Sequence, residues 1–162
     1  MAATFRRAVL DQPGIASMVF EFHFGLYEDV RVAFLACDDF VEFNAEYERY
    51  FFDVSFTKTF APDVVWARKG SELHAPYYCL LPKQRDDRLP LHVAIYQGFV
   101  ELTKRMLRCR PDLATKDAIV LAMQKSRLEI AAFLLDERAT MPALYRYYVP
   151  LSLPNVQGIL DK

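Results

Sequence analysis

Apolar positions in the first part of the chain follow helical spacing. A first predicted helix has one apolar face, formed by Ile15, Met18, Val19 and Phe22. A second predicted helix begins near Glu28 and Asp29 and has apolar positions at Val30, Phe34, Cys37 and Val41. An aromatic stripe continues at the same spacing, at Phe40, Phe43, Tyr47, Tyr50 and Phe51. The stripe predicts either a continuation of the second helix or a third helix after a break at Asp38 and Asp39. Its side chains form the core or, alternatively, an exposed docking patch.

Residues 52–84 follow no single period. The alternation over Phe52–Phe56 indicates a short strand. Turn-forming residues divide the rest into loops, at Pro62, Gly70, Pro76 and Pro82. Trp66 lies in a short apolar run, and we expect it to anchor this irregular stretch by packing.

Two stretches in the second half of the chain repeat at a separation of 28 residues. Leu91–Ala94 aligns with Ile119–Ala122, and the apolar positions that follow keep the same offset. Each unit is predicted to form a helix, a tight turn and a second helix. Pro90 opens the first unit, Gly98 marks its turn, and Asp117 is the predicted N-cap of the second unit. Helices this short must stack on neighbours to bury their apolar faces.

Composition favours helices over hairpins. The 162 residues include five glycines, fewer than half the usual share of about 7%. Few turns of positive φ are therefore available. We expect an all-α fold, in which a helical N-terminal module over residues 1–84 precedes two or three stacked helix-turn-helix units and a C-terminal cap over residues 85–162.

Charge and cysteine usage limit the partners. The net charge of −1 argues against a dedicated nucleic-acid-binding protein. No apolar run reaches the roughly 20 residues of a membrane span. Cys37, Cys79 and Cys109 include no C-x-x-C spacing, which is typical of free thiols in a reducing compartment. We therefore expect an intracellular protein, cytoplasmic or nuclear, that binds neither nucleic acid nor membranes.

The sequence offers no set of residues typical of catalysis. The phosphate-binding and dinucleotide-binding glycine motifs are absent, and the cysteines and histidines lack zinc-ligand spacing. His74 and Cys79 are close in sequence, but nothing near them supplies an orienting group or an oxyanion hole. We expect no catalytic residues, no metal and no cofactor.

The first repeat unit resembles an ankyrin repeat. Leu89-Pro90-Leu91-His92-Val93-Ala94, followed by Gly98, is similar to the T-P-L-H-x-A signature, and the resemblance covers residues 87–137. Leu89 replaces the threonine, and the repeat is shorter than the usual length of about 33 residues. The resemblance implies a solenoid that binds proteins, with His92 in a structural role. It also implies a partner-binding surface on the inner helices, formed by Arg88, Tyr96, Gln97, Gln124 and Lys125.

A second resemblance covers residues 9–40. Val9-Leu10-Asp11-Gln12-Pro13 and the later Leu35-Ala36-Cys37-Asp38-Asp39-Phe40 are similar to an F-box. That family docks substrate receptors onto cullin-type ubiquitin ligases through an adaptor. The main functional expectation is a non-catalytic protein–protein interaction module with a partner of unknown identity. The alternative is a ubiquitin-ligase substrate receptor that binds the adaptor; without that role, the N-terminal helices only cap the repeats.

Overall fold

The computed structural model describes residues 27–68 and 70–137, which form six α-helices and three β-strands. The helices are α1 (Glu28–Phe40), α2 (Phe56–Phe60), α3 (Leu89–Gln97), α4 (Val100–Cys109), α5 (Lys116–Gln124) and α6 (Leu128–Asp136). The strands are β1 (Val41–Asn44), β2 (Arg49–Phe52) and β3 (Glu72–His74). Two short 3-10 helices span Ala75–Tyr78 and Pro111–Leu113. The first predicted helix, with Ile15 to Phe22, lies outside the described residues.

The expectation of an all-α fold is wrong, because the chain also builds a three-stranded antiparallel sheet of order β1-β2-β3. Val41 pairs with Phe52 and Asn44 with Arg49 between β1 and β2. Tyr50 of β2 pairs with Leu73 of β3. The fold is therefore mixed α and β.

The aromatic stripe forms a hairpin instead of a helix. The side-chain oxygen of Asn44 accepts hydrogen bonds from the backbone N–H groups of Glu46 and Tyr47, at 2.9 and 3.1 Å. Glu48 then adopts a positive φ of 54°, which reverses the chain without a glycine. Tyr50 is fully buried and packs against Phe43, its cross-strand neighbour, at a ring-centroid distance of 4.7 Å. Aromatic pairs of this kind stabilise adjacent strands.

The strand expected over residues 52–56 lies earlier in the chain. Strand β2 ends at Phe52, and α2 begins at Phe56. The Asp53 carboxylate accepts a hydrogen bond from the backbone N–H of Ser55 at 2.8 Å, and the Asp53 carbonyl accepts one from Phe56 at 3.0 Å. These local bonds turn the chain out of the sheet and into the helix.

Two helix pairs, α3–α4 and α5–α6, lie where the internal repeat predicts them. Gly98 ends α3 with a φ of 84°, and Ser126 follows α5 with a φ of 56°. Asp117 is not the N-cap of α5, since that position is Thr115 and Asp117 instead pairs with Arg88 at 2.7 Å. Every residue of α3 is buried, so it is the central helix of the described fold.

A continuous hydrophobic core runs through both parts of the chain. It includes Val30 and Ala33 of α1, Phe56 and Phe60 of α2, and apolar residues of all four repeat helices. The predicted boundary between residues 84 and 85 stays a prediction, although this core extends across it. Within residues 27–68 and 70–137, no helix is both long and apolar enough to span a bilayer.

Candidate functional site

The irregular segment before β3 lies over the end of α3 and is anchored there by Trp66. The indole ring packs edge-on against Phe56, Phe60 and Phe99, with centroid distances of 5.8, 5.7 and 5.3 Å. Its Nε1 is buried and has no hydrogen-bond partner among the described residues. The anchor predicted from the sequence is therefore present, and Trp66 makes its contribution through ring packing.

Arg68, two residues further on, is clamped to the C-terminal end of α3. Its backbone N–H donates to Gln97 Oε1 at 3.1 Å, and Gln97 Nε2 donates back to the Arg68 carbonyl at 2.9 Å. Arg68 Nη1 donates to the Tyr96 hydroxyl oxygen at 2.9 Å. Two hydrogen bonds therefore fix the Arg68 backbone, and a third directs its guanidinium to Tyr96.

Tyr96 is held by Tyr78 and Arg127 in addition to Arg68. Its ring stacks on Tyr78 at a centroid distance of 4.2 Å and an interplanar angle of 16°. Burial, together with the neighbouring Tyr96 hydroxyl, raises the pKa of Tyr78 well above its usual range, so this hydroxyl stays protonated. Arg127 Nε and Nη2 donate to the Tyr96 carbonyl at 3.1 and 2.9 Å, which caps the C-terminus of α3 with a cation.

These side chains surround an opening that we name the Tyr96 cleft. It has a volume of about 270 Å³, and its walls include Trp66, Arg68, Tyr77, Tyr78, Tyr96 and Lys125. Lys125 Nζ lies 4.7 Å from the centroid of the Tyr96 ring, and the Arg68 guanidinium carbon lies 5.9 Å from it. Small-molecule sites usually occupy about 300–1,000 Å³. The cleft therefore has room for one or two side chains of a binding partner.

Three of the five predicted binding residues, Tyr96, Gln97 and Lys125, line the Tyr96 cleft. The exposed Gln124 is not in its walls, and its Oε1 accepts a hydrogen bond from Cys79 Sγ at 3.9 Å. Tyr96 and Gln97 are only 7% and 8% exposed. Both are buried because Arg68 and Tyr78 pack over them, so this end of α3 is not an open surface.

Arg88, the fifth predicted residue, lies in an internal ion network away from the cleft. Its guanidinium contacts Asp86 at 2.7 Å, Asp117 at 2.7 Å and Thr115 Oγ1 at 3.0 Å. Burial alone would raise the pKa of Asp86, but hydrogen bonds from Arg88 and from the Leu81 N–H outweigh it and lower the pKa below its usual range. Arg88 thus links the two helix pairs.

Sequence reasoning missed Arg68, Tyr77 and Tyr78 as parts of a site. Tyr77 is 71% exposed at the edge of the cleft, where its ring lies 5.0 Å from that of His74. The feature of the sequence that could have indicated them is a group of aromatic and basic residues inside an otherwise irregular segment. No periodicity links that group to α3, so the sequence does not place it there.

The thiols of Cys79 and Cys37 are not activated. Burial raises the pKa of Cys79 to about 11, with the nearby Asp117 carboxylate adding to the effect. Burial also raises the pKa of Cys37 far above its usual range. Both thiols are therefore protonated at neutral pH, and a protonated thiol is a poor nucleophile. His74 lies near Glu48, at 4.0 Å, rather than forming a pair with Cys79.

The ending of the F-box-like segment lies on α1. Cys37 is buried, Phe40 is half-buried and Leu35 is 46% exposed. The earlier part of that segment, residues 9–26, lies outside the described residues.

A larger groove, about 750 Å³, lies between α1, the end of α2 and the start of α4. Its walls include Val32, Phe60, Phe99 and Leu102, with Tyr27 at the point where the described chain begins. Nothing among the described residues identifies an occupant of this groove. The Tyr96 cleft is the better candidate because its polar groups converge on one place.

Comparison of the chain with family models, with curated proteins and with solved structures finds no match.

Proposed function

We propose that the protein is a non-catalytic protein-interaction module and that it binds a segment of a partner protein at the Tyr96 cleft. The observation that carries this proposal is the composition of the cleft. Trp66, Arg68 and three tyrosines meet in its walls. Tryptophan, tyrosine and arginine are the residue types most enriched among the energetic hot spots of protein interfaces.

The rigidity of the cleft supports the same conclusion. Arg68 and Tyr96 are fixed by hydrogen bonds, and Tyr96 also by ring stacking, before any partner binds. A partner therefore meets a preorganised surface, and little side-chain freedom is lost on binding. Tyr77, which is largely exposed in the wall of the cleft, is accessible to such a partner. The resemblance of residues 87–137 to ankyrin repeats favours the same class of function.

Site-specific photocrosslinking tests the proposal. In the full chain, p-benzoylphenylalanine is introduced in place of Tyr77, which is largely exposed and lines the cleft. A matched protein carries the crosslinker in place of Arg31, an exposed residue of α1 that does not line the cleft. We expect a defined protein adduct from position 77 and none of the same mass from position 31.

A purified adduct partner is then titrated against the unmodified chain and an Arg68→Ala variant. Loss of an interface hot spot weakens binding by 2 kcal/mol or more, which is about thirtyfold. Equal affinity for the two proteins, or the same adduct from both crosslinker positions, would contradict the assignment of the cleft as the binding site.

A further inference from the structure

We infer that the Tyr96 cleft recognises an acidic peptide segment, in which one aspartate or glutamate carboxylate binds between Arg68 and Lys125. This inference rests on the proposed function, because it names the chemistry of the partner segment that the cleft binds. It is carried by the distribution of charge around the cleft and by hydrogen-bond donors that no described residue uses.

Most cations in the described part of the chain already have a carboxylate partner. Eight of them lie within 4.0 Å of an aspartate or glutamate, namely Arg31, Arg49, Lys83, Arg85, Arg88, Lys104, Arg105 and Arg110. Arg68, Lys125 and Arg127 have no such partner among the described residues, and all three surround Tyr96. Lys58 and Arg108 also lack one there, but they lie at exposed positions of α2 and α4. Positive charge is therefore left uncompensated around Tyr96.

The donors of Arg68 and Lys125 are suited to a carboxylate. A guanidinium has five N–H donors, and the side chain of Arg68 uses Nη1 on the Tyr96 hydroxyl. Its Nε and its second terminal nitrogen make no hydrogen bond to a described residue, and together they match the two oxygens of a carboxylate. Lys125 Nζ contacts the face of the Tyr96 ring and has no hydrogen-bond acceptor among the described residues.

Both cations lie close to the Tyr96 ring. Their charged groups lie within 6 Å of its centroid, at 5.9 Å and 4.7 Å. The negative face of the ring attracts each cation, but it cannot neutralise them. An anion that enters the cleft relieves the repulsion between the two. Glu72, the acidic residue of the lining, is already paired with Arg49 at 2.6 Å.

A peptide fits these features better than a nucleic acid does. A phosphate backbone is bound by an extended basic stripe, and its binding accompanies a basic net charge. The chain has a net charge of −1, and Arg68 and Lys125 are the two lysine or arginine residues in the lining of this small cleft. The aromatic walls, with Trp66 and Tyr77, suit an apolar side chain next to the carboxylate.

Selection from a display library of random short peptides tests the inference with the full chain as bait. We expect the selected peptides to be enriched about tenfold in aspartate or glutamate at one position, since a charge-assisted hydrogen bond contributes that much discrimination. The Lys125→Gln and Arg68→Gln variants should lose this enrichment. Lys125→Gln removes no side-chain hydrogen bond to any described residue, so its effect is separable from misfolding.

Arg108→Gln is the matched control, because Arg108 is exposed, lacks a carboxylate partner among the described residues and does not line the cleft. It should select the same peptides as the unmodified chain. Selected peptides without an acidic position, or equal acidic enrichment with Lys125→Gln, would overturn the acidic ligand while leaving a peptide-binding cleft in place.

If no peptide is selected and the crosslinker at position 77 gives no adduct, the proposed function fails together with the inference. A single-stranded RNA pool is tested against the same bait by fluorescence anisotropy. Tighter binding of RNA than of the selected peptides, lost in Lys125→Gln, would assign the cleft to nucleic acid and overturn the inference.

Discussion

His92 connects the central helix to the segment that covers it. Its side chain is fully buried, and Nδ1–H donates a hydrogen bond to the Tyr78 carbonyl at 2.5 Å. Burial lowers the pKa of His92 to about 4, and the nearby Arg88 acts in the same direction, although the bond to Tyr78 opposes it. The ring is therefore neutral at pH 7. The structural role implied for this histidine by its place in the repeat agrees with these contacts.

We predict that acid destabilises the protein in the window set by His92. Between a pH of about 6.5, the usual histidine pKa, and about 4, the unfolded chain binds a proton that the folded chain excludes. The free energy of unfolding therefore falls as pH falls, by a total of about 3 kcal/mol. Urea unfolding at a series of pH values from 7 to 4 measures the loss.

A His92→Gln variant provides the reference for this titration. The variant should be less stable at pH 7, because it loses the hydrogen bond from His92 to the Tyr78 carbonyl. Its free energy of unfolding should vary less between pH 6.5 and 4, because glutamine does not titrate. Asp86 acts at lower pH, because its pKa is depressed and its contribution is lost only below about 3.9, the usual aspartate value. Parallel profiles for the two proteins would contradict the assignment.

Between elements, the strongest polar link is the network that joins α3 to α5. Arg88 precedes α3, and its guanidinium reaches Asp117 and Thr115 at the start of α5. Asp86 is only 5% exposed, so its charge depends on Arg88 for compensation. A residue first expected to bind a partner is thus part of the interface between the two helix pairs.

We predict that Arg88→Ala lowers the free energy of unfolding by about 3 kcal/mol, because it leaves the buried Asp86 carboxylate without its counter-charge. Asp117→Ala removes a partner whose side chain is 51% exposed, so it should cost less than about 1 kcal/mol. Chemical denaturation of both variants at pH 7 measures the difference. Equal losses would show that Arg88 acts mainly through Asp117.

The elements differ in how far the sequence predicts them. The four repeat helices are predicted correctly because their apolar spacing agrees with start and stop signals, such as Pro90 at the start of α3 and the positive-φ Gly98 at its end. The hairpin is not predicted correctly, because its aromatic residues also match helical spacing. Its turn uses Asn44 and Glu48 where a glycine signal would normally be expected.

The candidate site can be predicted only in part, namely where its residues belong to the repeat. Gln97, Gln124 and Lys125 follow from their places just before the turns of the repeat. The burial of Tyr96 and Gln97 cannot be predicted from those places, because it depends on a segment distant in sequence. Arg68 and Gln97 are 29 residues apart, and no local pattern encodes a contact over that separation.

At the scale of the whole molecule, α3 depends on the N-terminal part of the chain. Trp66 packs on Phe99, Tyr78 stacks on Tyr96, and α1 packs against α3 and α4. Removing these neighbours exposes apolar surface at a cost of roughly 25 cal/mol per Å². The N-terminal part and the repeat helices are therefore stabilised by the same hydrophobic core.

We predict that a fragment comprising residues 86–162 does not fold by itself. Circular dichroism during heating should show no cooperative transition, whereas the full chain gives one under the same conditions. A transition in the fragment close to that of the full chain would mean that the repeat helices do not require the N-terminal part, and the predicted capping role of that part would be wrong.

The Tyr96 cleft is built from both helix pairs. Tyr96 and Gln97 end α3, whereas Lys125 and Arg127 come from the turn between α5 and α6. A ligand that contacts both sides binds only while the pairs are stacked, so by mass action it stabilises their stacking. At a concentration 100 times its dissociation constant, this linkage is worth about 2.7 kcal/mol. Amide hydrogen exchange in α5 and α6, distant from most of the bound ligand, would slow accordingly.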